Sequence, residues 1–454
     1  MAATRTFRLA DAVILLLVFM MPTMLVLGTA QEPAGQPTMF FWILLVLPIL
    51  GLMWLLTCCD PEESGNGQRA AAIKVRPPSL EAAGVATAVS PTVRPVRYNV
   101  EGGVPVVEGV ALVPRERVFQ ELERVLAPFG ISPLVESLGG DKVRVIALPA
   151  AVDAQLRKRS SIWVNVGLLI ATVFTTVWAG AMHQGVNLLG NPGAFAIGLP
   201  YALTLLTILG IHELGHYFMG KYHGVDVTPP YFIPAPTGLG TFGAFIQIKS
   251  LIKTRWAVFD IGIAGPLAGL VVALPLLYIG LQQPVPISEA GAPAVPSTAS
   301  LLLALVARAA LGGDLAQIAV PLSPVAYAAW IGIFITALNL VPVGQLDGGH
   351  VAYALFGRKH ARTISAVTVV GMVIVGLLAS PTLLMWALLI TLVAGFSHMP
   401  ALDDLTPPDV KRYALGALSL VIFLLIVLPA RGPAQAALRA TPDQTLLPAR
   451  SPSP

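Results

Sequence analysis

AIGLPYALTLLTILGIHELGHYFMG, residues 196–220, is an apolar run that carries two histidines and a glutamate near its end. It is long enough to cross a ~30 Å hydrocarbon layer, which takes about 20 helical residues. His212 and His216 stand four apart. On a helix that spacing puts both rings on one face, one turn apart, where their nitrogens can reach a single metal ion. Glu213 lies between them and can serve as general base toward a metal-activated water. Ionisable groups at membrane depth cost at least a few kcal/mol each and are functional candidates by default. A structural reading would make the histidines packing or pore-lining residues, but three such groups in ligand spacing are hard to explain that way.

The rest of the chain agrees with a membrane setting. Of 454 residues, 55% are hydrophobic and 11% are charged, against about 25% charged in an ordinary soluble domain; mean hydropathy is +0.76. The net charge of +4 does not point to nucleic acid, because the basic residues sit at the ends of apolar runs, where they set orientation. The two cysteines, Cys58 and Cys59, are adjacent; they lack disulfide-framework and metal-site spacing and read as packing residues.

Apolar runs fall at 9–29, 39–57, 161–182, 196–220, 257–281, 324–342, 363–379, 382–397 and 413–429. The first could be cleaved after Gly28-Thr29-Ala30, but its length favours a retained helix. The run 299–311 is short and carries Arg308, so it reads as interfacial or re-entrant. Residues 60–159 have water-soluble composition. Within them 62–92 reads as a Gly/Pro/Ala/Ser linker, 115–128 as an amphipathic helix, and 132–137 and 142–148 as strands joined by Gly139-Gly140-Asp141. The division expected is two transmembrane helices in 1–59, a linker and small α/β module in 60–159, a membrane core in 160–400, one more helix in 401–430 and a disordered tail in 431–454.

Charge clusters at 157–159, at Lys221, Lys249, Lys253 and Arg255, at Arg358, Lys359 and Arg362, and at Lys411-Arg412 alternate consistently if each is cytoplasmic. A catalytic zinc usually keeps three protein ligands and one open position. Asn339-Leu340-Val341-Pro342-Val343-Gly344-Gln345-Leu346-Asp347-Gly348-Gly349-His350 supplies the third at Asp347, at the end of the 324–342 run and on the side of His216. Pro342 stops that helix. Asp347 could instead cap the following helix, or do both.

His212-Glu213-Leu214-Gly215-His216 followed by Leu346-Asp347-Gly348 resembles the site-2 protease family of intramembrane metalloproteases. The likeness extends to Gly238–Phe245 and to Asp260-Ile261-Gly262-Ile263-Ala264-Gly265-Pro266, and covers about residues 160–400. It implies an all-α polytopic membrane protein with a six-helix core, here with two extra N-terminal helices, one extra C-terminal helix and the small cytoplasmic α/β segment. It further implies one zinc ion held by His212, His216 and Asp347, Glu213 as base, and Asn339 contacting substrate or the oxyanion. The expected substrate is a single-pass transmembrane protein cut in or near its span. The expected setting is a bacterial cell membrane, with the active site toward the cytoplasm.

This chain lacks the PDZ domain or CBS pair that many bacterial relatives carry, so residues 60–159 are the candidate regulatory or substrate-sorting module. His223, His350 and His398 read as interfacial or second-sphere groups. Pro229, Pro230, Pro234 and Pro236 exclude a regular helix, and Thr241–Lys249 reads as an edge strand able to pair with an unwound substrate. Gly265 and Gly269 read as close helix packing. The rivals are a membrane zincin acting on soluble or lipidated substrates, a metal transporter, and an inactive chaperone-like homologue. A transporter would spread ionisable residues over several helices, whereas here they cluster at one depth.

Overall fold

In the computed structural model, residues 82–101, 103–149, 152, 161–235, 238–285, 294–296, 300–312, 319–379, 381–395 and 400–430 are described. The runs 9–29 and 39–57, the cysteine pair, His398 and the tail 431–454 lie outside them. In chain order the elements are α1 (Ala82–Val89), β1 (Val93–Glu101), β2 (Val104–Ala111), α2 (Arg115–Leu126), β3 (Ile131–Gly139) and β4 (Lys142–Pro149). Then come α3 (Ile162–His183), α4 (Leu199–Tyr222), β5 (Tyr231–Pro234), β6 (Thr241–Phe245), α5 (Arg255–Leu281), β7 (Ala294–Pro296) and α6 (Leu301–Leu311). The last are β8 (Ala319–Pro321), α7 (Pro324–Leu340), α8 (Asp347–Ala379), α9 (Pro381–Ala394) and α10 (Val410–Val427). They form two compact units, one from residues up to Val152 with Pro342–Thr406, the other from Asp153–Val341 with the chain after Thr406.

In the first unit, β1 to β4 make one antiparallel sheet of order β1-β2-β4-β3. The sequence Arg115–Leu126 places Val118, Phe119, Leu122 and Leu126 on one stripe, and these are the buried residues of α2. Its core is closed by Val85, Val89, Val107, Val135 and Val145, all fully buried. The turn between β3 and β4 uses Gly139 and Gly140 at φ 102° and 55°, where a side chain would be strained. Part of the segment read as linker is instead α1. Its Ala/Gly/Val composition is linker-like, yet Val85, Ala86 and Val89 repeat at helical spacing and are buried. The hairpin β1–β2 has no counterpart in the sequence reading.

The same unit holds α8 and α9. Helix α8 is broken at Gly357, whose φ of 79° and ψ of 168° are not helical. The segment Asp347–Phe356 is therefore a short helix of its own.

The second unit is a helical bundle. Among the described residues, five helical stretches are long and apolar enough to span a membrane: Ile162–His183, Pro192–Tyr222, Arg255–Leu281, Asp347–Leu378 (of the first unit) and Val410–Val427. Together with the shorter apolar helices Leu301–Leu311 and Pro324–Leu340, they make this a mostly helical, multi-pass membrane protein. One bundle core gathers Ile208 of α4, Leu270 and Leu277 of α5, Leu303 of α6, Ile333 of α7 and Ile426 of α10. The run read as interfacial or re-entrant is thus an 11-residue helix packed into that core, too short to span. Ser300 caps it, accepting from the Leu303 N–H and donating to the Leu425 carbonyl.

Helix α10 is tied to α5 by charge. The Arg412 guanidinium donates to both carboxylate oxygens of Asp260, at 2.8 and 2.6 Å. His223, just past α4, meets Asp260 Oδ2 at 2.9 Å, and Arg412 also lies over the Trp256 ring at 5.8 Å. These side chains are roughly one-fifth exposed, so the bidentate pair is worth more than a surface ion pair. Arg412→Ala should cost about 1–3 kcal/mol, read as a lower melting temperature in detergent with helical content preserved; an unchanged melting temperature would make the pair incidental.

Candidate metal centre

Helix α4 begins at Leu199-Pro200, where Pro sits in the first turn and its missing N–H is harmless. Its second half carries His212, Glu213 and His216, which are 2%, 6% and 7% exposed. The local backbone is set by close approach to α5. A side-chain carbon on Gly215 would come within 2.6 Å of the Ala264 carbonyl oxygen, so only glycine lets the two helices meet at this level. From the other side, Gly265 faces the ring of His216 and Gly269 that of His212; a Cβ on Gly265 would overlap the imidazole, and one on Gly269 would sit 3.2 Å from Nδ1. The two glycines read as packing residues thus form the floor against which both rings lie.

The rings are oriented. His216 Nδ1 is 2.7 Å from the Ile261 carbonyl oxygen. A carbonyl only accepts, so Nδ1 bears the proton and Nε2 offers its lone pair. His216 Nε2 and His212 Nε2 are 3.2 Å apart. Two zinc–nitrogen bonds of ~2.0–2.1 Å at the tetrahedral angle separate the nitrogens by about 3.3 Å, so the spacing suits a shared ion. One ligand atom from each of His212, His216 and Asp347 lies within 4.8 Å of the others, a group able to hold one metal ion. Two imidazoles and a carboxylate are a donor set zinc accepts. Asn339, near the end of α7, brings Nδ2 to 3.3 Å from His212 Nε2. Glu213 is buried in the same helical turn as the two histidines.

Asp347 opens α8, following Pro342 and the turn at Gly344, whose φ is 48°. A Cβ there would collide with the carbonyls of Ala394 and Gly395, which explains the glycine. Ser365 Oγ donates to the Pro342 carbonyl and accepts from the Gly344 N–H, pinning the turn ahead of the aspartate.

Between α4 and α5 the chain forms the hairpin β5–β6, with Tyr231 opposite Phe245 and Phe232 opposite Ala244. Phe232 packs on Leu205 and Leu209 of α4. Irregular backbone in a membrane must have its polar groups satisfied within the protein, and α3 does this. Asn165 Nδ2 donates to the carbonyls of Pro229 and Pro230 at 2.9 and 3.0 Å. Thr175 donates to Gly240, His183 meets the Gly238 carbonyl, and Tyr201 of α4 donates to Leu239.

The model of Peptidase family M50 matches residues 200–379, a stretch that contains all five expected site residues. Over these residues the chain is similar to the site-2 protease family. The chain is 35% identical over 238 residues to "Probable zinc metalloprotease EGY2, chloroplastic" of Arabidopsis thaliana, covering 51% of this chain and 42% of that protein. It is 36% identical over 236 residues to "Probable zinc metalloprotease EGY1, chloroplastic" of the same plant, covering 51% and 43%. With "Probable zinc metalloprotease EGY3, chloroplastic" of Oryza sativa subsp. indica it shares 29% over 369 residues, 74% of this chain and 61% of that protein. The chain thus spans less than half the length of the first two relatives. A match over 74% of the chain is too long to fit after residue 160, so it reaches into the small α/β domain. All three names place the relatives in chloroplasts, which gives no support to a specifically bacterial membrane. No solved structure matches.

Two contributors were missed in the sequence: the Ile261 carbonyl that orients His216, and the Arg412–Asp260–His223 cluster. Asp260 and Ile261 lay in a stretch noted for family likeness, but neither role has a local signal, since one is a backbone group and the other joins residues 152 positions apart.

Gly265→Ala should displace the His216 ring and weaken zinc binding on the order of 10–100-fold. Gly269→Ala, with more room, should do clearly less. Chelator competition on both variants would check this, and equal affinities would show that the rings are not held by this floor.

Proposed function

We propose that this chain is a site-2 protease family member, a zinc-dependent intramembrane endopeptidase that hydrolyses a peptide bond in or near a transmembrane segment. The observation that carries the reading is the convergence of two buried Nε2 atoms and the Asp347 carboxylate in an apolar bundle. Such a cluster is costly at membrane depth unless it serves chemistry. In this reading His212, His216 and Asp347 hold the ion. A bound zinc would act as Lewis acid toward the scissile carbonyl and bring the pKa of its water to about 7.

The remaining work falls to the chain's own residues. Glu213 takes the proton of the attacking water and delivers it to the leaving amine. Asn339 offers its amide to the oxygen that gains charge as the carbonyl is attacked. The hairpin β5–β6 lies between the His-bearing helix and α5, and an extended substrate segment can add to its edge by main-chain hydrogen bonds. That mode suits the problem, because a helical substrate hides its peptide bonds in internal hydrogen bonds and must be unwound first. The substrate is taken to be a single-pass transmembrane protein, and the active site to face the cytoplasmic side, marked by the basic clusters. The membrane itself is a bacterial or an organellar one.

Zinc content of the detergent-purified protein tests the centre. Wild type should hold one zinc per chain, Glu213→Gln should keep it, and Asp347→Ala should lose or loosen it. Glu213→Gln should also lower cleavage of a single-pass substrate by about 10²–10⁴-fold; substantial residual turnover would remove the general-base role, and a zinc-free wild type would favour a non-proteolytic protein. Gly243 sits in β6 at φ 103°, which proline cannot adopt. Gly243→Pro should therefore abolish cleavage with zinc retained, and undiminished cleavage would exclude the hairpin as substrate edge.

A further inference from the structure

The small α/β domain and the helix that begins with Asp347 lie in one compact unit, and three contacts join them. The segment around Leu402–Asp404 lies parallel to edge strand β3. The Val135 N–H donates to the Leu402 carbonyl at 2.8 Å, and the Asp404 N–H donates to the Val135 carbonyl at 3.1 Å. The sheet is thereby extended past its last strand by the chain that follows α9. Next, Arg358 Nη2 donates to Glu136 Oε1 at 2.8 Å; Glu136 stands on β3, and the two side chains are only 25% and 10% exposed. Finally, the fully buried Tyr353 donates its hydroxyl to Asp404 Oδ1 and accepts from the Ala401 N–H, both at 2.9 Å.

These contacts bear on one short element. Asp347–Phe356 is cut off from the rest of α8 by the non-helical Gly357, so the long apolar span after the break does not fix its direction rigidly. Helices this short are marginal on their own and need an anchor. Tyr353 lies within the segment, and Arg358 immediately follows the break. Metal centres tolerate ligand displacements of only a few tenths of an ångström, so the carboxylate at the head of this segment is sensitive to how its foot is held.

We propose that Glu136 and Arg358 are positioning residues for Asp347. Through their ion pair and the 401–404 strand, the small α/β domain holds the helical turn that presents the third carboxylate to the metal. The domain is thereby part of the metal centre's support, and displacing it from the 401–404 segment loosens the ion. The proposal rests on the zinc reading of His212, His216 and Asp347. It assigns to β3 a role that no feature of the small domain's own chemistry indicates.

The test uses the full chain in detergent, with zinc affinity measured by chelator competition and melting followed in parallel. Glu136→Gln and Arg358→Met should each weaken zinc binding on the order of 10-fold or more. The exchange Glu136→Arg with Arg358→Glu should restore most of it, because the pair is remade with its charges reversed. If the single variants melt earlier but hold zinc as tightly as wild type, the contact is structural only and the proposal is overturned. If the exchange variant folds and binds as poorly as the singles, the pair itself is not the positioning element and the proposal fails likewise. A wild type without zinc would instead overturn the metal reading, and this proposal with it.

Discussion

The close approach of α4 to α5 is the constraint on which the rest depends. At Gly215 the helices meet with no side chain between them, and just beyond, Gly265 and Gly269 leave flat backbone for two imidazole rings. In a membrane there is little hydrophobic force to drive helices together, and small residues allow the contact that packing rewards. Here the same device does something further. It lets both histidine rings lie directly against α5, and the Ile261 carbonyl then selects the tautomer of His216. The donor set is built from backbone proximity before any ion arrives.

A second requirement is that polar groups at this depth be answered by the protein. The bundle meets it locally. Asn165, Thr175 and His183 answer the carbonyls of the proline-rich loop, Ser300 and Ser323 cap short helices, and Asp260 is shared by Arg412 and His223. Each arrangement turns an otherwise costly group into a fixed point. The hairpin β5–β6 can keep an irregular course next to the histidine helix because α3 satisfies it.

Much of this was legible in the sequence, for identifiable reasons. The span of α4 and the pairing of His212 with His216 follow from apolar length and a four-residue spacing, both local signals. Pro342 ends α7 as expected, with Leu340 its last residue, and the strands flanking Gly139-Gly140 announce themselves through the turn. What escaped was non-local or compositionally bland. Helix α1 is made of Ala, Gly and Val, a composition shared with linkers, and only its burial against the sheet reveals it. A helix starting at Asp347 was foreseen only as an alternative role for that residue, because Gly344, Gly348 and Gly349 permit turns; the segment is held by Tyr353 and its partners some 50 positions away. The link from Asp260 to Arg412 likewise joins distant residues and has no periodicity to betray it.

The bonds from Asn165 to Pro229 and Pro230 have a consequence for biosynthesis. Asn165 leaves the ribosome more than sixty residues before its partners. A carboxamide facing hydrocarbon alone is unfavourable, so α3 enters the bilayer carrying a debt that is cleared only when the loop after α4 arrives. Insertion of α3 and α4 is therefore thermodynamically linked: the helix with the weaker claim to the lipid is retained by a loop translated later. The two helices are thus coupled through a single side-chain amide.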